Sequence, residues 1–276
     1  MGLEEGQVLD SEVGLEVDEV VGSGILDYRS EALPTWCPGC GYYGITMGIT
    51  RALNALAIEN RNLVVVTGIG CAGRYPFFVR GYGFHCVHGR ALPVACGIKM
   101  ARPELTVVAI GGDGDGLAIG GGHLPHVARR NVDVTYVLFD NAIYGLTKGQ
   151  ASPTTPEGQV TATTPYGTPD APLNPTLLAL AHGASFVARG WAGDFRGGED
   201  LMRRALAHKG FSFLHFVSPC VTFDKVNLTW DRVRADWHAM PEHHDPHDLA
   251  GAMALAIDPV RYHGVFREEP RPVWGA

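Results

Sequence analysis

Two acidic residues in a glycine-rich turn form the first group of side chains with chemical potential. Gly111-Gly112-Asp113-Gly114-Asp115-Gly116 follows an apolar run and precedes a helical pattern. Glycines let backbone N–H groups approach an anion, and the start of a helix favours negative charge. Because two carboxylates in one turn repel a bare phosphate, we expect a divalent cation there, and Mg²⁺ commonly bridges carboxylates to phosphates. Asp140-Asn141, after the next apolar run, offers further oxygen ligands. A glycine-rich turn without any cofactor is the alternative.

Four of the six cysteines form the second group. Cys37 and Cys40 are a Cys-x-x-Cys pair, Cys71 follows one apolar run and Cys220 follows another. Fe–S clusters usually take four thiolates. Zinc also accepts four cysteines, so the spacing alone leaves both groups open.

The remaining cysteine patterns favour simpler interpretations. Trp36-Cys37-Pro38-Gly39-Cys40 is similar to a thioredoxin motif, but residues 31–35 do not have the pattern of a strand. A thioredoxin fold also gives the acidic turn no role. We interpret Cys96 as a small apolar residue of a helix and Cys86 as a loop cysteine.

Alternating patterns predict the elements that position these residues. Short β-branched runs predict buried strands, and apolar residues at helical spacing predict helices. The predicted strands cover residues 63–66, 105–110, 134–139, 186–188 and 213–217, and the predicted helices cover 42–59, 91–101, 117–130, a segment from Pro175, and 199–209. Residues 151–175, rich in Pro, Thr and Gly, predict a long loop.

This alternation predicts an α/β fold with a doubly wound, mostly parallel sheet. In such sheets ligands bind beyond the carboxyl ends of the strands. Cys71, Asp113, Asn141 and Cys220 all follow predicted strands, so we expect them at one edge of the sheet. We predict three parts: an acidic N-terminal arm (1–30), the main domain (31–220) and a C-terminal extension (221–276), which has little periodicity.

Composition excludes several classes of protein. The 276 residues carry a formal net charge of -7, with no basic block, so we expect no nucleic-acid partner and no binding to anionic membranes. We see no secretory signal and no apolar run long enough to span a bilayer. We therefore expect a cytoplasmic protein.

The acidic turn resembles the thiamine-diphosphate motif, which begins with Gly-Asp-Gly and ends with Asn about thirty residues later. Here it runs from Gly112-Asp113-Gly114 to Asn141. The resemblance implies that Asp113, Asn141 and the backbone carbonyl of Ile143 hold Mg²⁺ on the diphosphate, with Asp115 also in the cofactor site.

Neighbouring segments resemble the β subunits of 2-oxoacid:ferredoxin oxidoreductases over about residues 33–225. The similar segments include His123, Arg129-Arg130-Asn131 and Asn141-Ala142-Ile143-Tyr144-Gly145-Leu146-Thr147-Lys148-Gly149-Gln150. In that family an equivalent cysteine set holds a [4Fe–4S] cluster, which implies this role for Cys37, Cys40, Cys71 and Cys220.

The resemblance also implies substrate-facing residues. Arg74 corresponds to a substrate-selecting basic residue and would grip the distal carboxylate of 2-oxoglutarate. Lys148 corresponds to a lysine near substrate or CoA. His88, in His88-Gly89-Arg90, lies in a segment near the thiamine cofactor and could orient a substrate oxygen. A surface arginine and a structural histidine are the alternatives for Arg74 and His88.

The chain offers no glutamate suited to activate thiamine, and in this family a larger α subunit supplies it. The implied enzyme is a heterodimer, or a dimer of heterodimers. It couples CoA-dependent oxidative decarboxylation of a 2-oxoacid, 2-oxoglutarate before pyruvate, to reduction of ferredoxin, or catalyses the reverse carboxylation. Two other hypotheses stay open: a thiamine-dependent decarboxylase or synthase without Fe–S, and a non-catalytic, zinc-stabilised interaction subunit.

Overall fold

The computed structural model describes residues 28–275. The acidic arm predicted for residues 1–30 therefore lies almost entirely outside the described residues. The α-helices are α1 (Tyr42–Ala55), α2 (Gly70–Gly73), α3 (Ala91–Ala101), α4 (Asp113–Leu117), α5 (Leu124–Arg130), α6 (Pro175–Ala181), α7 (Phe195–Ala207), α8 (Trp230–Ala235) and α9 (Leu249–Ile257). The strands are β1 (Leu63–Thr67), β2 (Tyr82–His85), β3 (Thr106–Gly112), β4 (Thr135–Asp140), β5 (Ile143–Tyr144), β6 (Gln150–Ala151), β7 (Phe186–Trp191), β8 (Ser212–Val217), β9 (Trp237–Ala239) and β10 (Arg261–Glu268).

Strand β1 shows why its sequence is a continuous apolar run. Val64 and Val66 pack in one apolar cluster with Leu92 of α3, whereas Val65 packs in a second cluster with Ile49 of α1. Successive side chains of a strand point to opposite faces of the sheet, so a strand covered on both faces needs apolar residues throughout. Both clusters are buried, and the sheet separates them.

The main sheet has eight strands in the order β2-β1-β3-β4-β8-β7-β10-β9. Neighbouring strands from β2 to β7 are parallel, and β10 runs antiparallel to β7. The predicted doubly wound α/β fold is confirmed. Strands β2 and β3 pair with opposite edges of β1, so the direction in which the chain adds strands reverses there. Ligands bind at such switch points in doubly wound sheets.

Two regions differ from the sequence prediction. The single helix predicted over 117–130 is wrong, because α4 ends at Leu117 and α5 begins at Leu124. The intervening turn contains Gly120-Gly121-Gly122, and glycine is a poor helix former. Strand β2 was not predicted, since all four of its residues are exposed and give no apolar run.

Residues after Cys220 contribute α8, β9, α9 and β10, which the sequence pattern did not predict. Strand β10 joins the main sheet beside β7, and Val265 and Phe266 are buried there. The predicted domain boundaries stay predictions. No helix in the described part of the chain is long and apolar enough to cross a membrane.

Candidate active site

A cavity of about 310 Å³ lies at the carboxyl ends of β1, β3 and β4. Its lining comes from residues within 69–77, 85–88, 112–115 and 141–147, together with Tyr42. The first two segments follow β1 and β2, and the other two follow β3 and β4. Parallel strands thus bring together segments that are far apart in the sequence.

Asp113 is a buried acid of this cavity, at the junction of β3 and α4. Its carboxylate accepts hydrogen bonds from Thr154 Oγ1 at 3.0 Å and from the backbone N of Asn141 at 3.4 Å. Burial, and then the neighbouring carboxylate of Asp140, raise the pKa of Asp113 above its usual value. A cation beside this group would offset the cost of its buried negative charge.

The turn after β4 presents further oxygen atoms to the cavity. Asn141 Oδ1 accepts from the backbone N of Ile143 at 3.3 Å, and both residues line the cavity with Asp113. Between them, Ala142 has a φ of 54°, in the left-handed region that few non-glycine residues adopt. Asp140 Oδ1 accepts from the Ala142 backbone N at 3.0 Å and so stabilises this turn. A carboxylate, an amide and a backbone carbonyl form a donor set suited to Mg²⁺.

Asp115 is engaged with the protein itself. Its Oδ1 accepts from the backbone N of Ile69 at 3.0 Å, from the backbone N of Gly89 at 2.7 Å and from His88 Nδ1 at 3.0 Å. The bond to Asp115 requires a hydrogen on Nδ1 of His88, which leaves Nε2 for other partners. Asp115 therefore connects the loops that follow β1 and β2, and His88 lines the cavity in a fixed orientation.

Tyr144 lies against the glycine-rich turn. Its hydroxyl donates to the Gly114 carbonyl at 3.0 Å, and a Cβ on Gly114 would lie 2.7 Å from ring atoms Cδ1 and Cζ. Real Cβ atoms do not approach so closely. Glycine at this position thus allows the aromatic ring to cover α4.

The four predicted cluster cysteines lie in neighbouring segments. The sulfur atoms of Cys71 and Cys220 are each 3.6 Å from the place that a Cβ on Gly145 would take. Trp36 Nε1 donates to the Cys71 carbonyl at 2.7 Å, which attaches the Cys-x-x-Cys segment to the end of β1. Trp230 of α8 donates to the carbonyl of Gly39, within that same segment, at 3.0 Å.

Burial and mutual proximity raise the pKa values of two of these thiols. Burial raises the pKa of Cys40 to about 12, and the other three cysteines add to the shift. Burial, followed by Cys220 and Cys37, raises the pKa of Cys71 to about 11. Among the described residues, no three His, Cys, Asp or Glu side chains are close enough together to hold one metal ion.

The predicted basic residues differ in position. Arg74 lines the cavity, and within residues 28–275 no hydrogen bond or ion pair engages its guanidinium. Lys148 is exposed, has a φ of 84° and is next to the lining residue Thr147. Its predicted contact with substrate or CoA stays a prediction.

Several residues of the site were missed by sequence reasoning. His85 lines the cavity, and its Nδ1 is 2.7 Å from the Gly73 carbonyl. Behind Asp113, Asp140 Oδ2 lies 2.9 Å from His215 Nε2, and both residues are buried. The sequence does contain one indication of this pair, since a histidine stands within the apolar run of β8. Thr154, in the predicted loop, had no such signal.

The comparisons with known proteins agree with this geometry. A family model described as the thiamine pyrophosphate enzyme, C-terminal TPP binding domain, matches residues 68–216. This range contains the glycine-rich turn, the turn after β4, strands β2 to β7, and β8 except for its last residue.

Similar relatives define the family more closely. The β subunit of 2-oxoacid:ferredoxin oxidoreductase 2 from Aeropyrum pernix is 45% identical over 222 residues, which cover 80% of this chain and 72% of that protein. The KorB subunit of 2-oxoglutarate oxidoreductase from Mycobacterium tuberculosis is 46% identical over 198 residues, 72% of this chain and 53% of the relative. A solved 2-oxoglutarate:ferredoxin oxidoreductase from Magnetococcus marinus, with 2-oxoglutarate, coenzyme A and succinyl-CoA bound, superposes with a TM-score of 0.91 at 45% identity, covering 94% of this chain and 89% of that one. The chain therefore belongs to the thiamine pyrophosphate enzymes and, within them, to the β subunits of 2-oxoacid:ferredoxin oxidoreductases.

Proposed function

We propose that this β subunit binds thiamine diphosphate, Mg²⁺ and a [4Fe–4S] cluster. With a larger α subunit, it couples CoA-dependent oxidative decarboxylation of 2-oxoglutarate to reduction of ferredoxin, or catalyses the reverse carboxylation. The observation that carries the proposal is that Asp113, Asn141 and Cys71 line one cavity. The predicted cation ligands and a predicted cluster ligand therefore share one space.

The residues around Asp113 fit a cation and a diphosphate. Asp113, the side chain of Asn141 and the carbonyl of Ile143 would hold Mg²⁺, and a divalent cation would offset the buried charge of Asp113. Thiamine diphosphate, when bound, supplies the carbanion that reacts with a keto carbon. The chain's own contribution is to place the diphosphate and to exclude water with Tyr42 and Tyr144, which line the same cavity.

The cysteine arrangement supports a cluster next to this cavity. Cys71 lines the cavity, Cys37 and Cys220 are near enough to raise the pKa values of both Cys40 and Cys71, and Cys71 also raises that of Cys40. At raised pKa values the Cys40 and Cys71 thiols keep their protons in the metal-free chain, and coordination to a metal group would deprotonate them. A cluster held by Cys71 would lie beside the thiamine site, where it could accept electrons.

Arg74 supports a dicarboxylic substrate. It is a cation in the wall of the cavity, and its guanidinium has no acceptor within the described residues. A guanidinium binds a carboxylate through two parallel hydrogen bonds. His88, oriented by Asp115, would contact the substrate nearer to the reacting carbon. Relatives named for 2-oxoglutarate favour this acid over pyruvate.

An α subunit is needed because the acids of the described cavity lining already have other roles. Asp113 belongs to the cation site, and Asp115 accepts three internal hydrogen bonds. With both acids assigned to these roles, the activating glutamate would come from the larger subunit. Ferredoxin as electron partner and a cytoplasmic location belong to the same proposal.

The first test is anaerobic purification of the complex, followed by iron, sulfide and thiamine analysis. We expect about four irons, four sulfides and one thiamine diphosphate per β chain, as one four-cysteine cluster requires. Thiamine without iron would favour a decarboxylase without Fe–S, and zinc without iron or thiamine would favour the interaction subunit. Cys71→Ser should abolish ferredoxin reduction, whereas Cys96→Ser, at the α3 cysteine, should retain it. Full activity of Cys71→Ser would refute the cluster assignment.

The substrate assignment is tested by Arg74→Ala. Hydrogen bonds to charged groups contribute about 1.5–3 kcal/mol, so kcat/KM for 2-oxoglutarate should fall by roughly 10- to 100-fold. Turnover of pyruvate, which lacks the distal carboxylate, should change much less. Arg80→Ala, at an exposed arginine outside the cavity lining, is the matched control. Equal losses for both acids would remove Arg74 from substrate selection.

A further inference from the structure

One hydroxyl group bridges two buried carboxylates behind the cavity. Thr154 Oγ1 lies 3.0 Å from Asp113 Oδ2 and 2.7 Å from Asp140 Oδ1. All three residues are buried, with Thr154 8% exposed. Thr154 belongs to the loop between β6 and α6, not to a strand end. A loop residue thus contacts the acid that we assign to Mg²⁺.

Asp140 does not depend on this hydroxyl. Its Oδ1 also accepts from the Ala142 backbone N at 3.0 Å, and its Oδ2 lies 2.9 Å from His215 Nε2. His215 is itself held by Thr176 Oγ1, which is 3.1 Å from Nδ1. Asp140 is therefore a fixed acceptor, tied to the turn after β4 and to β8.

Asp113 has fewer donors. Its other direct hydrogen bond, from the backbone N of Asn141, is long at 3.4 Å. The shorter of its two described hydrogen bonds therefore comes from Thr154 in this loop and not from its own strand.

The same loop also holds the turn that carries Asn141 and Ile143. Thr155 Oγ1 donates to the Ala142 carbonyl at 2.7 Å and accepts from the Ser152 backbone N at 2.7 Å. The first residues of the loop thus contact both parts of the proposed cation site, which are Asp113 and the turn after β4.

We propose that Thr154 is a positioning residue for a divalent cation: its hydroxyl, whose single hydrogen is shared between the two carboxylates, holds Asp113 in a set orientation beside the fixed acceptor Asp140. This inference rests on the proposed function, because it assumes that Asp113 ligates Mg²⁺. The loop that begins at Ser152 is then part of the cation site, although it supplies no ligand.

The test uses the purified complex and measures the Mg²⁺ concentration that half-saturates retention of thiamine diphosphate. Thr154→Val removes the hydroxyl at nearly constant shape and should raise this concentration roughly ten-fold or more, as loss of a hydrogen bond to a charged group implies. Thr154→Ser retains the hydroxyl and should stay within about two-fold of the unmodified protein. Saturating Mg²⁺ should restore most of kcat in Thr154→Val, since the defect lies in cation binding.

Thr163→Val is the matched control, because Thr163 is exposed in the same loop and no described hydrogen bond involves its side chain. If Thr154→Val fails to fold, Thr154→Ala replaces it in the same titration. Equal Mg²⁺ dependence of Thr154→Val and Thr163→Val would overturn the inference, as would a Thr154→Ser defect as large as that of Thr154→Val. Failure of the unmodified protein to retain thiamine diphosphate with Mg²⁺ would instead refute the proposed function.

Discussion

Replacing Gly114 by alanine should destabilise the chain, although alanine is the better helix former. Gly114 is the second residue of α4, and a Cβ there would be 2.7 Å from Cδ1 and Cζ of Tyr144. The nearest ring atom, Cε1, would be closer still. Carbon atoms in contact prefer about 3.5–4.0 Å, so the ring must move by more than about 1 Å. That movement would weaken the hydrogen bond from the Tyr144 hydroxyl to the Gly114 carbonyl.

The size of the effect follows from two opposing terms. Alanine in a helix gains about 0.5–1 kcal/mol over glycine. Overpacking of a filled site costs about 1–3 kcal/mol. Gly97 of α3 provides the control, because it is exposed in a helix and a Cβ there would meet nothing within 4 Å. Gly97→Ala should therefore stabilise the chain. The free energy of unfolding of Gly114→Ala should be about 1–3 kcal/mol lower than that of Gly97→Ala.

Urea unfolding of the two variants and of the unmodified chain, each without added cofactor, measures this difference. A double-mutant cycle with Tyr144→Ala isolates the cause, because neighbouring residues couple whereas distant residues add. Without the Tyr144 ring, Gly114→Ala should no longer destabilise the chain and should change its stability as Gly97→Ala does. A Gly114→Ala penalty that persists in the Tyr144→Ala background would refute the steric argument, as would stabilisation in the unmodified background.

Two further predictions concern the buried His215 and the half-buried His208. His215→Leu leaves Oδ2 of the buried Asp140 carboxylate without its hydrogen-bond donor and should lower the free energy of unfolding by about 1.5–3 kcal/mol, measured by urea unfolding; a loss no larger than that of His215→Gln would contradict this. Burial is the main cause that lowers the pKa of both His208 and His215 from 6.5. The unfolded chain therefore binds protons first, and stability present above about pH 6.5 should be lost as the pH falls. The melting temperature should drop between about pH 7 and pH 5, and the drop should be smaller in His208→Gln; an identical drop in both proteins would exclude His208 as a contributor.

Much of the sheet was predictable because its central strands are covered on both faces. Such strands are short β-branched runs, as in Leu63–Thr67, and the local sequence alone identifies them. Strand β2 lies at the edge of the sheet with every residue exposed, so burial leaves no pattern in its sequence. Strand β10 is mostly half-buried, and its place beside β7 depends on pairing with residues about 80 positions earlier in the chain.

The site was predictable where it depends on strand ends. Asp113, Asn141 and Cys71 each follow a strand, and parallel strands bring these positions to one edge. Thr154 is 41 residues from Asp113 in sequence, and no periodic pattern predicts a hydrogen bond across that distance. The sequence therefore predicts that Asp113, Asn141 and Cys71 lie together, but not the residues that support them.

The two proposed cofactor sites meet at Gly145. A Cβ there would lie 3.6 Å from the sulfurs of both Cys71 and Cys220, and 3.8 Å from Nδ2 of Asn141. The turn that carries the proposed Mg²⁺ ligand Asn141 thus continues directly into the space between two proposed cluster ligands. Cys71 lines the cavity as well, so the cavity wall and the cysteine group share both a residue and a turn. Electron transfer weakens with distance, and this arrangement leaves no intervening side chain at Gly145. A fold that brings strand ends together therefore supplies the closeness that the proposed reaction needs.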